Sequence, residues 1–333
     1  MRRDSYFVAG LVLCVAVELT GAAYSSELRQ GDVESTIVPS PVEYNILLPE
    51  DYESAGEPFP LVLFLHGGTG DRSHLTMLRP LVEELWKDGS LRKMVLVTPS
   101  VTKRSFYMDF KNGSERWETF IIGQFLDHLR ENYKVSKDPK KTFVSGLSMG
   151  GEGSLRIALK HPGKFGAVAA LEPAIMPVLK FSEVRPKHHF YRGDDVLERA
   201  FGNPIDTAYW EANNPAAIVA ANPEKIRSSG LEIYLECGDE DAFWLYEGAE
   251  FLHQILWDNR IRHEYHLVRA ADHLGPSLAP RLAEALKFVA RVLNPWQKLD
   301  LQFDPILRQI LALKAQLKEK DHYMQGEAGQ NDQ

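Results

Sequence analysis

Pro60-Leu61-Val62-Leu63-Phe64-Leu65 is an unbroken apolar run that stops at His66-Gly67-Gly68, and Met94 to Thr98 is a second, stopped by Pro99. A strand with one face in water alternates apolar and polar residues. A run with no polar member is instead buried on both faces, as in a parallel sheet with helices above and below. Val42 to Leu48 reads as an edge strand, and Lys141 to Gly146, Phe165 to Leu171, Leu231 to Cys237 and Glu264 to Val268 read as further strands. Between them Leu75 to Lys87, Glu115 to Tyr133, Gly151 to Lys160 and Trp244 to Trp257 read as helices. The last carries Leu245, Ala249, Leu252 and Leu256 on one stripe, a core face with no ligand implied. This alternation predicts an α/β chain built on a mostly parallel, doubly wound sheet.

The 333 residues fit one domain with a long insertion as well as two domains. With 44% hydrophobic and 25% charged residues the chain can bury a sizeable core, which excludes disorder, collagen and coiled coil as whole-chain readings. Thirty-eight Lys and Arg against 46 Asp and Glu, with no basic run, argue against nucleic acid as the main partner. Cys14 and Cys237 make no disulfide framework and no structural-zinc motif. Arg2 and Arg3 precede an apolar run from Tyr6 to Val17, followed by Gly21, Ala22 and Ala23. The run is too short for a bilayer core, which takes about 20 residues, and suits a signal peptide over residues 1–23. The expectation is a secreted or periplasmic protein with no stable membrane span in the mature chain.

Two stretches break the alternation. Residues 174–230 separate two strands by far more than a short connection and predict a cap-like insertion at the C-terminal edge of the sheet. Beyond Leu293, Asn294-Pro295 interrupts the chain, and Asp304 as N-cap with Pro305 at the first helical position opens a further helix. Its stripe of Ile306, Ile310, Leu313 and Leu317 suits packing on the domain or on another subunit, and Gly326 to Gln333 reads as a disordered tail. The organisation is thus 1–23, then a domain over 24–293, then a helical extension over 294–333.

Gly146-Leu147-Ser148-Met149-Gly150 lies between a strand and a helix, the context that makes G-x-S-x-G a nucleophile turn. The turn is tight enough that side chains two positions either side of Ser148 would collide, and glycine at 146 and 150 relieves this. A serine hydroxyl needs a base, and the base needs an acid that fixes its tautomer. Chain order in such sites is nucleophile, acid, base. His161 and His253 lie on helices, His188 and His189 in the insertion, and His263 and His266 at the last strand. His273 alone follows that strand, which assigns it as base. The acid belongs after the strand ending at Cys237, in Gly238-Asp239-Glu240-Asp241. The fourth position turns back over the sheet, which favours Asp241, with Asp239 the alternative. Two donors must face the developing oxyanion: the N–H of Met149 and one from His66-Gly67-Gly68, for which Gly68 is the choice. His66 reads as a buried hydrogen-bonding residue.

On these residues, Val42 to Leu293 resembles the esterase D-like branch of the α/β-hydrolases, which includes S-formylglutathione hydrolases, feruloyl and acetylxylan esterases, enterochelin esterases and mycolyltransferases. Ser105-Phe106-Tyr107-Met108-Asp109-Phe110, followed by Trp117-Glu118-Thr119-Phe120, is similar to a segment of the mycolyltransferases and related secreted esterases. Phe201-Gly202-Asn203-Pro204, Tyr209-Trp210 and Asn214-Pro215 are similar to the family's insertion. The Ala-Ala-Asp-His loop departs from the glycine-rich turn often found there, and the C-terminal helix is extra. The resemblance implies a serine carboxylic-ester hydrolase with an α/β-hydrolase fold, acting on a small-molecule or carbohydrate ester without a cofactor. It also implies that Asp109 or Phe110 lines the acyl or alcohol pocket. Glu172, at the end of the strand after the nucleophile helix, reads either as a substrate contact or as a partnered structural carboxylate. The rival readings are an acyltransferase of the mycolyltransferase type working through the same acyl-enzyme, and a catalytically silent binding protein.

Overall fold

The computed structural model describes residues 24–295 and 305–328. The expected signal segment with Cys14, the N-cap Asp304 and residues 329–333 of the expected tail lie outside them, whereas Gly326 to Ala328, expected to be disordered, end a helix. Eight strands form one sheet: β1 (Glu27–Val33), β2 (Val42–Leu48), β3 (Leu61–Leu65), β4 (Val95–Pro99), β5 (Thr142–Leu147), β6 (Ala167–Leu171), β7 (Glu232–Gly238) and β8 (Glu264–Val268). Their order is β1-β2-β4-β3-β5-β6-β7-β8. β1 and β2 pair antiparallel, as do β2 and β4, and every later pairing is parallel. The expected apolar runs are the middle strands, all buried.

One expectation is corrected at the edge. Val42 to Leu48 is the second strand, and β1 lies outside it, paired from Glu27 against Leu48 to Val33 against Val42. The sequence Glu-Leu-Arg-Gln-Gly-Asp-Val carries no run or clean alternation because only Val33 of this strand is buried. An edge strand held by one antiparallel ladder needs little apolar burial, so its signal in sequence is weak.

Helices cover both faces. α1 (His74–Lys87) packs on one, joined there by α10 (Leu278–Leu293), over Val62, Phe64, Leu96 and Phe143. The alternate residues Leu61, Leu63, Leu65, Val97 and Val144 face the other layer, with α2 (Trp117–Phe120), α3 (Leu126–Asn132) and α4 (Met149–Lys160). The single helix expected over 115–133 is α2 and α3 joined by a π turn at Ile121–Phe125. That wider turn stacks Phe120 on Phe125 with ring centroids 5.8 Å apart. The long stretch between β6 and β7 holds α5 (Asp194–Phe201), α6 (Thr207–Glu211), α7 (Pro215–Ala221) and α8 (Pro223–Ser229). Its part up to Asn214 crosses the strand ends, whereas α7 packs between α4 and α9 (Leu245–Asp258) as an ordinary crossover helix. From Asn294 onward the chain is a separate unit. There α11 (Pro305–Ala328) exposes Ile306, Ile310, Leu313 and Leu317. No helix among the described residues is long and apolar enough to cross a membrane.

Parallel strands deliver their following loops to one end of the sheet. His66-Gly67-Gly68 follows β3, Ser148 follows β5, Glu172 follows β6, Asp241 follows β7 and His273 follows β8, so one edge collects every residue with chemistry to offer.

Candidate active site

Ser148 joins β5 to α4 with φ 59° and ψ −116°, a conformation that costs of order 1–3 kcal/mol for a residue with a side chain. Its N–H donates to the Leu171 carbonyl at 2.9 Å, and its own carbonyl accepts from Glu152 and Ala174 at 3.0 and 3.2 Å. The glycines make this possible. A Cβ on Gly146 would strike the Gly150 carbonyl, and one on Gly150 would strike the carbonyl of Leu65. Other side-chain-bearing residues with positive φ, Phe106, Tyr107, Glu172, Trp244 and Ala270, also lie in loops at this end. Strain gathers where the surrounding structure over-determines a site.

Met149 opens α4, and a first-turn N–H has no acceptor within its helix. The turn after β3 lies alongside: a Cβ on Gly67 would stand 3.8 Å from Ser148 Cβ, and one on Gly68 would stand 4.0 Å from Met149 Cβ. His66 holds that turn from within. Its Nδ1 donates to the Gly67 carbonyl at 2.8 Å and its Nε2 accepts the Val101 N–H at 3.3 Å, which fixes one neutral tautomer. Burial lowers its pKa accordingly.

Asp241 and His273 meet directly, with Oδ2 and Nδ1 2.6 Å apart. The Asp241 Oδ1 accepts the N–H groups of Phe243 and Leu245 at 2.7 and 3.2 Å. Burial works against ionisation of this carboxyl, but the hydrogen bond from His273, helped by neighbouring Glu172 and the Leu245 N–H, outweighs it and holds the pKa below the usual carboxylate value. Asp239, the alternative acid, instead accepts the Ala270 N–H at 2.7 Å and stays on the turn that precedes His273. Phe243 packs edge-on to His273 with centroids 4.7 Å apart, and Phe190 stacks on Phe243 and tilts against Trp244. Phe190 and Trp244 are exposed and give His273 an aromatic rim that no local sequence pattern announced.

The structure gives the three expected substrate contacts the following partners. Asp109 accepts both the N–H and the hydroxyl of Thr119, at 3.0 and 2.6 Å, and so anchors the start of α2. Phe110 is 2% exposed, under the Arg199 guanidinium. Glu172 has no exposed surface. Of its two readings the structure takes the partnered carboxylate: Oε1 accepts from Gly238 N–H at 3.2 Å and from Arg281, and Oε2 from the Cys237 thiol at 2.8 Å. Glu172, Asp241 and His273 present donor atoms within 4.8 Å of one another, a spacing a metal could use, but the Arg281 guanidinium already supplies positive charge to Glu172. Sequence reasoning missed Arg281 and Glu236. A charged residue inside the apolar strand β7 was the available signal for Glu236, whereas Arg281 is one of several arginines on helices.

The Esterase family model, described as "Putative esterase", matches residues 35–287, and the chain belongs to that family. Esterase Rv1288 of Mycobacterium tuberculosis is 30% identical over 249 residues, 70% of this chain and 53% of the relative. The chain thus spans about half the length of that curated relative. S-formylglutathione hydrolase of Bos taurus is 28% identical over 58% of this chain and 64% of its own. Among solved structures, a ferulic acid esterase superposes with a TM-score of 0.67 at 21% identity, covering 81% of this chain and 99% of its own. An S-formylglutathione hydrolase from Agrobacterium tumefaciens gives 0.66 at 19% identity, covering 82% and 98%. The fold is that of the α/β-hydrolases.

Proposed function

We propose that this chain hydrolyses carboxylic esters through an acyl-enzyme on Ser148. The observation that carries the reading is the Asp241–His273 contact of 2.6 Å at the same sheet end as a serine held at φ 59°. His273 Nδ1 donates to Asp241, which leaves Nε2 as the basic nitrogen. Ser148 Oγ attacks the ester carbonyl as His273 takes its proton, and Asp241 stabilises the imidazolium. The N–H groups of Gly68 and Met149 receive the oxyanion; two such fixed donors are worth several kcal/mol in the transition state, about 3 each. The alcohol departs with the proton from His273, and water, activated by the same histidine, releases the acid. Membership of the Esterase family supports this chemistry class.

Ser148→Ala is expected to abolish hydrolysis of an activated short-chain ester in a folded protein, and a fluorophosphonate to label the wild-type chain once, at Ser148. Wild-type activity in the variant, or a label on another serine, overturns the reading. Similarity to the Diacylglycerol acyltransferase/mycolyltransferase Ag85A of Mycobacterium leprae, 27% identical over 70% of this chain and 74% of its own, supports a second outcome. In that case the acyl group passes to an alcohol, and a new ester in preference to free acid with added acceptor identifies it. The segment over residues 1–23 supports export, and N-terminal sequencing of protein from its native host is expected to find a start near Tyr24.

A further inference from the structure

We propose that Arg281 and Glu172 are positioning residues of the Asp241–His273 pair, acting through one buried cluster that locks the loop of the base to the strand ends that carry the acid; the proposal rests on the reading above. Arg281 sits on α10, the helix that follows the His273 loop. Its Nη2 donates to the Asp272 carbonyl, adjacent to His273, at 2.7 Å. Its Nη1 binds Glu172 at the end of β6 and Glu236 of β7, the latter at 2.8 Å. One guanidinium thus grips the loop after β8 and the ends of β6 and β7 together. The planar fork of arginine supplies three directions at once, which a lysine ammonium on a flexible stem does not reproduce.

Glu172 closes the other half of the cluster. Its backbone N–H donates to the Glu236 carbonyl at 2.9 Å, and Leu171 beside it accepts the Ser148 N–H. Its carboxyl faces Cys237, Glu236 and Gly238 of β7, Arg281 of α10, and the loop residues Asp241 and His273. Glu172 and Glu236 share the Arg281 guanidinium while Asp241 pairs with His273, so two buried carboxyls face one fixed positive charge. Burial, and then the Asp241 carboxylate, push Glu172 up to about 8, while Asp241 is held low. In its protonated form the Glu172 carboxyl, which has an oxygen within 4.8 Å of ligand atoms of Asp241 and His273, leaves Asp241 as the charged partner of the imidazole.

The test uses the full chain. Arg281→Met is expected to lower kcat by about 100-fold, the scale of a misplaced base, with KM little changed, and Arg281→Lys to recover only part of the loss. Glu172→Ala is expected to lower kcat more than Glu172→Gln, because the amide oxygen still accepts from Gly238 and Arg281. The downfield Nδ1–H resonance of His273 supplies a readout that packing alone does not move. In wild type it shows a further inflection as Glu172 ionises, and in Glu172→Gln that inflection is absent. If Arg281→Met fails to fold, the resonance of the amide variant decides. A folded Arg281→Met with wild-type kcat, or a Glu172→Gln titration that superimposes on wild type, overturns the proposal. Ser148-independent hydrolysis would overturn the acyl-enzyme reading instead, so the two failures are distinguishable.

Discussion

Two buried ion clusters lie in this domain, and they are built to opposite balances. Behind the candidate site, Glu172 and Glu236 share one arginine, Arg281, and Asp241 lies alongside them, paired with His273. Beside α4, Glu118 and Glu152 are met by Arg156, Arg192 and Lys160, with His161 at 2.9 Å from Glu118. The second cluster ties α2 and α4 to the crossing segment that bears Arg192, which also donates to the Ala174 carbonyl. Glu118 shows its character: burial would raise this carboxyl, yet His161, Lys160 and Arg156 together hold it below its ordinary value. Surplus cations keep acids ionised and make a fastener. Surplus acids around one cation leave a proton to be placed, and the Glu172 carboxyl of that arrangement stands within 4.8 Å of Asp241 and His273.

The largest effect separates the clusters by function. Asp241→Asn is expected to lower kcat by about 10⁴-fold, since the amide favours the wrong tautomer of His273, while the melting temperature changes far less. Equal kcat in the folded variant would detach the acid-rich cluster from catalysis. The fastener should answer in the other currency. Arg192→Met leaves Glu152 buried with one partner fewer, a loss of about 3–5 kcal/mol in stability by denaturant unfolding, with kcat of the remaining folded protein near wild type. A large kcat loss at unchanged stability would erase the distinction.

How far these clusters were legible in the sequence follows from the distance over which each part is determined. Ser148 and its glycines were legible because the turn that strains the serine is closed within five residues, Gly146 to Gly150. The middle strands were legible because burial on both faces removes polar residues locally. Asp241 was reached through the geometry of a strand end, and the contact at 2.6 Å lies where that geometry points. Glu172 was visible as a carboxylate at a strand end, but whether it faced substrate or protein depended on Arg281, 109 residues later. β1 left no signal because an edge strand is defined by its partner. Phe190 reaches the aromatic rim beside His273 only through the tertiary path of the crossing segment.

Stability as a function of pH sharpens the contrast with a smaller effect. Glu172 has a folded pKa raised to about 8, well above its unfolded value, so the folded state binds the extra proton. Its contribution is fully present below the unfolded pKa and is lost as pH rises through the folded one. Glu118, with a lowered pKa, behaves oppositely: its contribution is present above the unfolded pKa and is lost as pH falls through the folded value. Thermal midpoints of wild type are thus expected to carry a declining component between about pH 5 and pH 8 that Glu172→Gln lacks. An unchanged slope in the variant would mean that Glu172 is ionised throughout.

The smallest effect concerns Asp239, two residues from the assigned acid and outside both clusters. Its carboxylate accepts the Ala270 N–H, and Ala270 holds φ 55° at the start of the loop that leads to His273. An amide oxygen at the same place still accepts that hydrogen bond, so Asp239→Asn keeps the turn and loses only the strength that charge adds. The expected cost is about 0.5–1 kcal/mol in stability, with kcat close to wild type. A loss of kcat approaching that of Asp241→Asn would mean that the turn, and not the carboxylate at 2.6 Å, is what aligns the imidazole. Double substitution distinguishes the routes: independent effects add in log kcat, whereas a shared route through His273 makes the second change nearly silent once the first is present.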